Sequence, residues 1–301
     1  MTLRLGLYVP TWPGADRVPP RWADLREVAV VAEALGVDSL WVADEPGFWE
    51  CWTVLTGVAE ATTRVEVGPL VACTRYRNPA LLATMVRALD EVSGGRVVLG
   101  LGAGSGPSDT RWPAFGYEAA SHVARFAEAV EITSRLLRGP TFAFAGQFYS
   151  VDHPRLGPEG PRPGGPPIWV AAGKPRTMGI AARFGDAVNV NTALTGPASV
   201  AAFRPALDAA CTEAGRDPAS LPVTGWVRLA PSPDGALDAD RADTISGTPA
   251  VIAARLAEIH AAGVSHLTCF IGDEDDGHKY PALTRHALER FSAVMEALGT
   301  L

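Results

Sequence analysis

VEVGPLVACTRYRNPALLATMVRALDEVSGGRVVLGLGAGSG, residues 65–106, decides the fold. A β-rich apolar run (65–73) gives way to a helix-periodic run (79–92), and a second β-rich run follows at 96–102. Asn78-Pro79 opens the helix as an N-cap and first-turn pair. The same alternation continues to both ends of the chain. Upstream lie strands at 3–9 and 38–43, with helices near 22–35 and 50–62. Downstream lie strands at 167–172, 186–191, 223–230 and 265–271, with helices near 118–138, 175–184, 198–214, 249–262 and 281–298. Eight strand–helix units in series predict one α/β domain over 1–301, a (β/α)8 TIM barrel with insertions in its loops. A doubly wound open sheet is the alternative. EALGVDSLWVADE (33–45) and HAAGVSHLTCFIGD (260–273) share one plan of helix end, glycine and buried strand, and ARFGDAVNVN (182–191) repeats it more loosely.

Three stretches exceed simple connections: 10–21, 139–166 and 231–247. TFAFAGQFYSV (141–151) alternates and turns at Ala145-Gly146, which predicts a hairpin. The first and last stretches leave strands at the C-terminal face, where they can line or cover a site.

The chain has 301 residues, 47% of them hydrophobic, with a net charge of −7. That balance gives no electrostatic footprint for nucleic acid or an anionic membrane surface. No apolar run approaches the roughly 20 residues of a membrane span, and the N-terminus reads as a strand rather than a leader. Cys51, Cys73, Cys211 and Cys269 are widely spaced, which fits a reducing cytoplasm and argues against disulfides or structural zinc. The histidines show no metal-binding spacing, and no G-x-S-x-G elbow is present.

Four constellations can carry chemistry. GLGAGSG (100–106) leaves a strand with glycines that would let backbone approach a ligand, Gly102, Gly104 and Ser105 among them, although its spacing is not a dinucleotide fingerprint. AAGKPRT (171–177) places Ala172, Gly173 and Lys174 just before a helix, with Arg176 in its first turn, a suitable seat for phosphate. ADEPGFWECW (43–52) puts Asp44 and Glu45 at a strand's end, followed by Phe48, Trp49 and Trp52. Paired carboxylates there can exchange a proton, and the aromatics can wall a pocket. Helix capping and core packing are the plainer readings of the same residues. Finally, Pro69 within 65–73 predicts a bulge, because it lacks a ladder donor and a closed barrel has no edges.

In this order, these pieces resemble the bacterial-luciferase-like family of FMN-dependent monooxygenases and F420-dependent reductases and dehydrogenases. The resemblance covers nearly the whole chain and is strongest in 33–45, from 65 through 106, and in PPIWVAAGKPRTMGIAARFGDAVN (166–189). It implies a hydride-transferring oxidoreductase with coenzyme F420, FMN being the alternative cofactor. It implies a ring held over a bulge at Leu70, Val71 and Ala72, with a cis Leu70-Val71 bond. It implies a phosphate at Ala172, Gly173, Lys174 and Arg176, and a polar pair beside the ring at Asp44 and Glu45. Trp49 corresponds to a tryptophan kept near the reacting carbon in several F420 dehydrogenases. Glu45 stands where many F420 members have histidine, which makes it the candidate proton donor, with Asp44 left to cap the next turn. Ser105 and Ser108 replace an acid and an amide of sugar-phosphate dehydrogenases. A small organic substrate is expected among Trp12, Trp49 and Trp112, and a homodimer is the candidate assembly. A Schiff-base aldolase using Lys174 and a non-catalytic binding barrel are the competing classes.

Overall fold

The chain is described by a computed structural model over residues 2–12, 19–104, 111–117, 120–139, 141–232, 242–271 and 285–299. β1 (Arg4–Val9), α1 (Trp22–Ala34), β2 (Ser39–Val42), α2 (Cys51–Ala61) and β3 (Glu66–Pro69) come first. β4 (Ala72–Cys73), α3 (Pro79–Val92), β5 (Leu99–Gly102), α4 (Arg111–Ala114) and α5 (His122–Arg138) follow. A hairpin of β6 (Ala143–Ala145) and β7 (Ser150–Asp152) forms where the sequence predicts it. Then come β8 (Ile168–Ala172), α6 (Pro175–Phe184), β9 (Ala187–Ala193), α7 (Pro197–Glu213) and β10 (Val223–Pro231). β11 (Thr244–Gly247), α8 (Pro249–Ala261), β12 (Val264–Ile271) and α9 (Arg285–Gly299) complete the order.

Parallel pairing runs β3–β2–β1–β12–β10–β9–β8–β5–β4. The two ends of that order are halves of one predicted strand. Its lower half meets the approach to β5 through Val67 and Val97, with Val98 N–H bonded to Val67 O at 3.0 Å. Its upper half pairs Ala72 with Leu101 and Cys73 with Gly102. The sheet therefore closes on itself, and the open-sheet alternative is set aside. The expected irregularity lies at Pro69–Val71, and the Leu70-Val71 bond is cis. β11 was not expected, because 231–247 reads as polar loop; it pairs with the upper part of β10, where Arg228 faces Thr244 and Pro231 faces Gly247.

Strand alternation separates two cores. Leu5, Leu7 and Val9 of β1, with Leu40, Val42, Leu99, Leu101, Val188 and Val190, bury against the helices. Facing the lumen are Trp41, Val98, Trp169 and Ala187. Two tryptophans fit inside because neighbouring strands supply glycines. A Cβ on Gly6 would meet Ser39 Oγ and come within 2.6 Å of Trp41 Nε1, and one on Gly68 would meet the Val98 carbonyl. The Trp41 and Trp169 ring centroids are 4.7 Å apart, and His266 meets Trp169 edge-on at 4.9 Å. Ser39 Oγ accepts from Trp41 Nε1 at 2.7 Å and lies 2.8 Å from His266 Nε2. Burial, reinforced by the Arg4 charge, pushes His266 down to about 3, so the imidazole is neutral.

Candidate active site

All barrel strands run in parallel, so their C-terminal ends share one mouth, the face where barrel enzymes build sites. β1 brings Tyr8, whose hydroxyl donates to Leu70 O across the broken strand. Tyr8 stacks on Phe270 of β12 at 4.4 Å and is 5.7 Å from Trp12. Trp226 of β10 meets Phe270 edge-on at 5.5 Å, and Phe48 lies 5.9 Å from Trp12. With Ala43, these rings form one cluster at the mouth. Trp12 and Phe270 are buried, while Tyr8, Phe48 and Trp226 keep partial exposure.

Asp44, at the end of β2, is 6% exposed. Its Oδ2 accepts from Cys73 N–H at 3.0 Å and from Arg77 Nη1 at 2.7 Å. Arg77 Nη2 reaches Glu50 Oε1 at 2.9 Å. Burial raises the Asp44 carboxyl above its ordinary range, while Arg77 and the Cys73 amide pull it back. The expected helix cap falls to Glu50 instead, which accepts from Thr53 N–H at 2.7 Å. Asp44 ties β2 to β4. Glu45 is half-buried, and its carbonyl accepts from Phe48 N–H at 3.4 Å. The nearby thiols offer no nucleophile: burial pushes Cys73 up to about 11 and raises Cys51 well above its ordinary value.

The glycines within β5 and just after it have a packing role that the sequence reading missed. A Cβ on Gly100 would strike Pro69 O, one on Gly102 would strike Val71 Cγ2, and one on Gly104 would strike Trp112 and lie 2.9 Å from Cys73 Sγ. The space they leave is filled by protein, which lets the broken strand and Trp112 press against β5. Gly104 also has φ +83°, a conformation glycine adopts freely. Ser105 and Ser108 lie outside the described residues.

Ala172 is buried, and Gly173, Lys174 and Arg176 are exposed at the start of α6. Thr177 Oγ1 accepts from Gly173 N–H at 3.3 Å and Lys174 N–H at 3.2 Å, so the hydroxyl already caps two of the amides that the sequence assigned to phosphate. A Cβ on Gly173 would collide with the Asn191 side chain of β9. Arg176 lines a groove of about 400 Å3 on the outer face of α6, with Gly179, Ile180 and Arg183. The positive end of the α6 dipole and two exposed cations nevertheless suit an anionic group. Exposure of Lys174 does not suit a Schiff-base amine, which is activated by apolar enclosure or a neighbouring cation.

Of the tryptophans expected around a substrate, Trp12 joins the aromatic cluster. Trp49 is 48% exposed and donates from its indole to Pro20 O at 2.8 Å. Trp112 is fully buried and donates to Tyr76 Oη at 3.1 Å, beneath the glycine turn. Tyr8, Trp226 and Phe270 escaped the sequence reading; strand parity would have found them on the lumen side, Tyr8 and Phe270 one residue from their strands' C-terminal ends and Trp226 farther down β10. Arg77 could be seen only once β4 and α2 were in place.

Comparison with known proteins agrees with this fold. Over 222 residues the chain is 28% identical to the 5,10-methylenetetrahydromethanopterin reductase of Archaeoglobus fulgidus, covering 73% of this chain and 64% of that protein. It is 33% identical over 188 residues to the F420-dependent glucose-6-phosphate dehydrogenase of Amycolatopsis mediterranei, covering 57% of this chain and 54% of that protein. The chain thus spans between half and two thirds of the length of these relatives. An F420-dependent secondary alcohol dehydrogenase, solved with an F420-acetone adduct, superposes with a TM-score of 0.80 at 18% identity over 99% of both chains. The family profile described as luciferase-like monooxygenase matches residues 3–237. The chain belongs to the luciferase-like monooxygenase family.

Proposed function

We propose that this chain is an oxidoreductase that moves a hydride between coenzyme F420 and a small organic substrate. The observation that carries the reading is the mouth itself: an aromatic cluster faces the distorted third strand, and a cationic helix end stands on the same rim. The dehydrogenase relative and the superposed alcohol dehydrogenase are F420-dependent, and the proposal extends that dependence to this chain.

The residues fit a flat ring that bears a phosphate. Leu70 and Val71 form an apolar platform packed on Trp41 and Trp169. Lys174, Arg176 and the amino end of α6 would hold the phosphate, with the N–H groups of Gly173 and Lys174 shared with Thr177. Gly102 and Gly104 would support the platform from below through Val71 and Trp112, with Ala72 and Ser105 flanking it in sequence. When bound, F420 supplies or accepts the hydride. Trp12, Phe48 and Phe270 exclude water from the reacting face. Glu45 would deliver or remove the accompanying proton, Asp44 would position the strand ends through Cys73 N–H, and Trp49 would close the rim.

Titration of the purified protein with F420 and with FMN, followed by fluorescence, tests the reading. Saturable binding of F420, tighter than that of FMN, is expected. Preference for FMN would move the chain to the monooxygenase branch, and binding of neither would end the proposal. Glu45→Gln should lower single-turnover rates by roughly 10²–10⁴-fold with cofactor saturating, because positioned proton transfer has that effect. A wild-type rate would remove Glu45 from the role.

The expected assembly is a homodimer, to which apolar side chains left exposed on α1 (Trp22, Val30) and α3 (Leu81, Val92) would contribute. No described helix is long and apolar enough to cross a membrane, and all four cysteines are free, in keeping with a proposed cytoplasmic site.

A further inference from the structure

The mouth divides into two sectors. β1, β12 and β10 are neighbours in the barrel and contribute Tyr8, Phe270 and Trp226, with Trp12 and Phe48 joining from the connections after β1 and β2. On the other side, β5, β8 and β9 contribute Gly102, the approach to Gly173, and Asn191. The aromatic sector is built of ring faces and edges at 4.4–5.9 Å, and three of its five rings retain exposed surface.

Among the described residues, two cations near this sector, Arg77 and Arg228, are already committed. Arg77 is held between Asp44 at 2.7 Å and Glu50 at 2.9 Å. Arg228 lies 3.7 Å from Asp243 and places its guanidinium 5.6 Å from the Phe270 ring centroid. A sugar phosphate would have to compete with those carboxylates and lay a polar face on the three rings that keep exposed surface. A flat, uncharged ring system would instead match the sector in polarity and in stacking geometry.

We infer that the substrate is a flat, uncharged, ring-bearing enone or ketone seated on Tyr8, Phe48 and Trp226, rather than a sugar phosphate. This inference rests on the hydride-transfer reading for its chemistry and on the aromatic sector for its selectivity. In the reductive direction the enone β-carbon gains a hydride from reduced F420 and its C=C π bond breaks. The electron pair moves toward the carbonyl, and the α-carbon takes a proton. The enone is reduced to the saturated ketone, and the cofactor is oxidised.

Two readouts separate this inference from the reading beneath it. The first is binding of flavone to the F420-loaded protein and to the protein alone, followed by quenching of tryptophan fluorescence. The second is kcat/KM for flavone and 2-cyclohexen-1-one with reduced F420, and for glucose 6-phosphate with oxidised F420. Flavone should bind, turn over, and exceed glucose 6-phosphate in kcat/KM by at least tenfold. Trp226→Leu and Phe48→Leu should each weaken flavone binding by about threefold to tenfold, the effect of one stacked ring, with F420 affinity unchanged. Faster turnover of glucose 6-phosphate, or flavone binding that neither substitution alters, would overturn the inference while leaving F420 dependence intact. Flavone binding without any F420 binding would overturn the hydride-transfer reading and keep the aromatic seat.

Discussion

Arg77 reaches Asp44 and Glu50 with different nitrogens of one guanidinium, and only Glu50 has ready access to water: the side-chain exposures are 13% for Arg77, 5% for Asp44 and 52% for Glu50. Removing the arginine would strand a buried carboxylate. Arg77→Met should therefore cost about 3–5 kcal/mol in urea unfolding, whereas Arg77→Met combined with Asp44→Asn should recover part of that loss. Equal losses in the single and double variants would show that the pair does not hold the strand ends together. Asp44 illustrates what the sequence could and could not convey. Its place at the end of a strand was legible from the hydrophobic run before it. Its partner was not, because Arg77 lies 33 positions away and meets it only once β2 and the broken third strand lie side by side. Glu45 keeps the reverse status: its position on the rim was readable, and its proton chemistry awaits the rate measurement.

The third strand is the element that departs most from regular pairing, and one residue, Pro69, announced it. What the sequence left out is how the neighbours adapt. Gly102 faces Val71 so closely that a methyl group has no room. Gly102→Ala should lose about 1–3 kcal/mol in denaturant unfolding by overpacking, and Val71→Ala in the same chain should relieve much of it. A neutral Gly102→Ala would mean that the strand halves can slide apart at little expense. The start of α6 invites a similar comparison. Gly173→Val would push aside Asn191 and crowd the helix end, so F420 and FMN affinity should both fall while circular dichroism stays native. Undiminished binding would remove the phosphate seat from α6. Periodicity identified this helix to the residue, Pro175–Phe184, because its proline start and short amphipathic run are local signals. Thr177 capping two amides was invisible at that level, since it depends on a hydroxyl rotamer.

At the scale of the whole molecule, the lumen holds a buried histidine. His266 has its folded value lowered to about 3 from 6.5, so below pH 6.5 the unfolded chain binds a proton that the folded barrel refuses. Stability contributed by the neutral imidazole is complete above pH 6.5 and is lost as pH falls from there toward 3, by about 2 kcal/mol between pH 7 and pH 5. Thermal unfolding of His266→Phe should show a shallower decline over that interval than the wild type; parallel curves would place the pH response elsewhere. Eight strand–helix repeats made the barrel readable before any contact was known, because each unit is encoded within about 30 residues. The lumen was harder, since Ser39, Trp41, Trp169 and His266 come from strands far apart in the chain and share a layer only after closure. The two-sided mouth has one more consequence. The rings that would choose a substrate and the helix end that would hold a cofactor descend from different staves and touch no common side chain among the contacts described. Replacing Trp12, Phe48 and Trp226 in combination would therefore redirect what the barrel acts upon while leaving the end of α6 as it is, so a library confined to those positions would explore new substrates around one fixed anion seat.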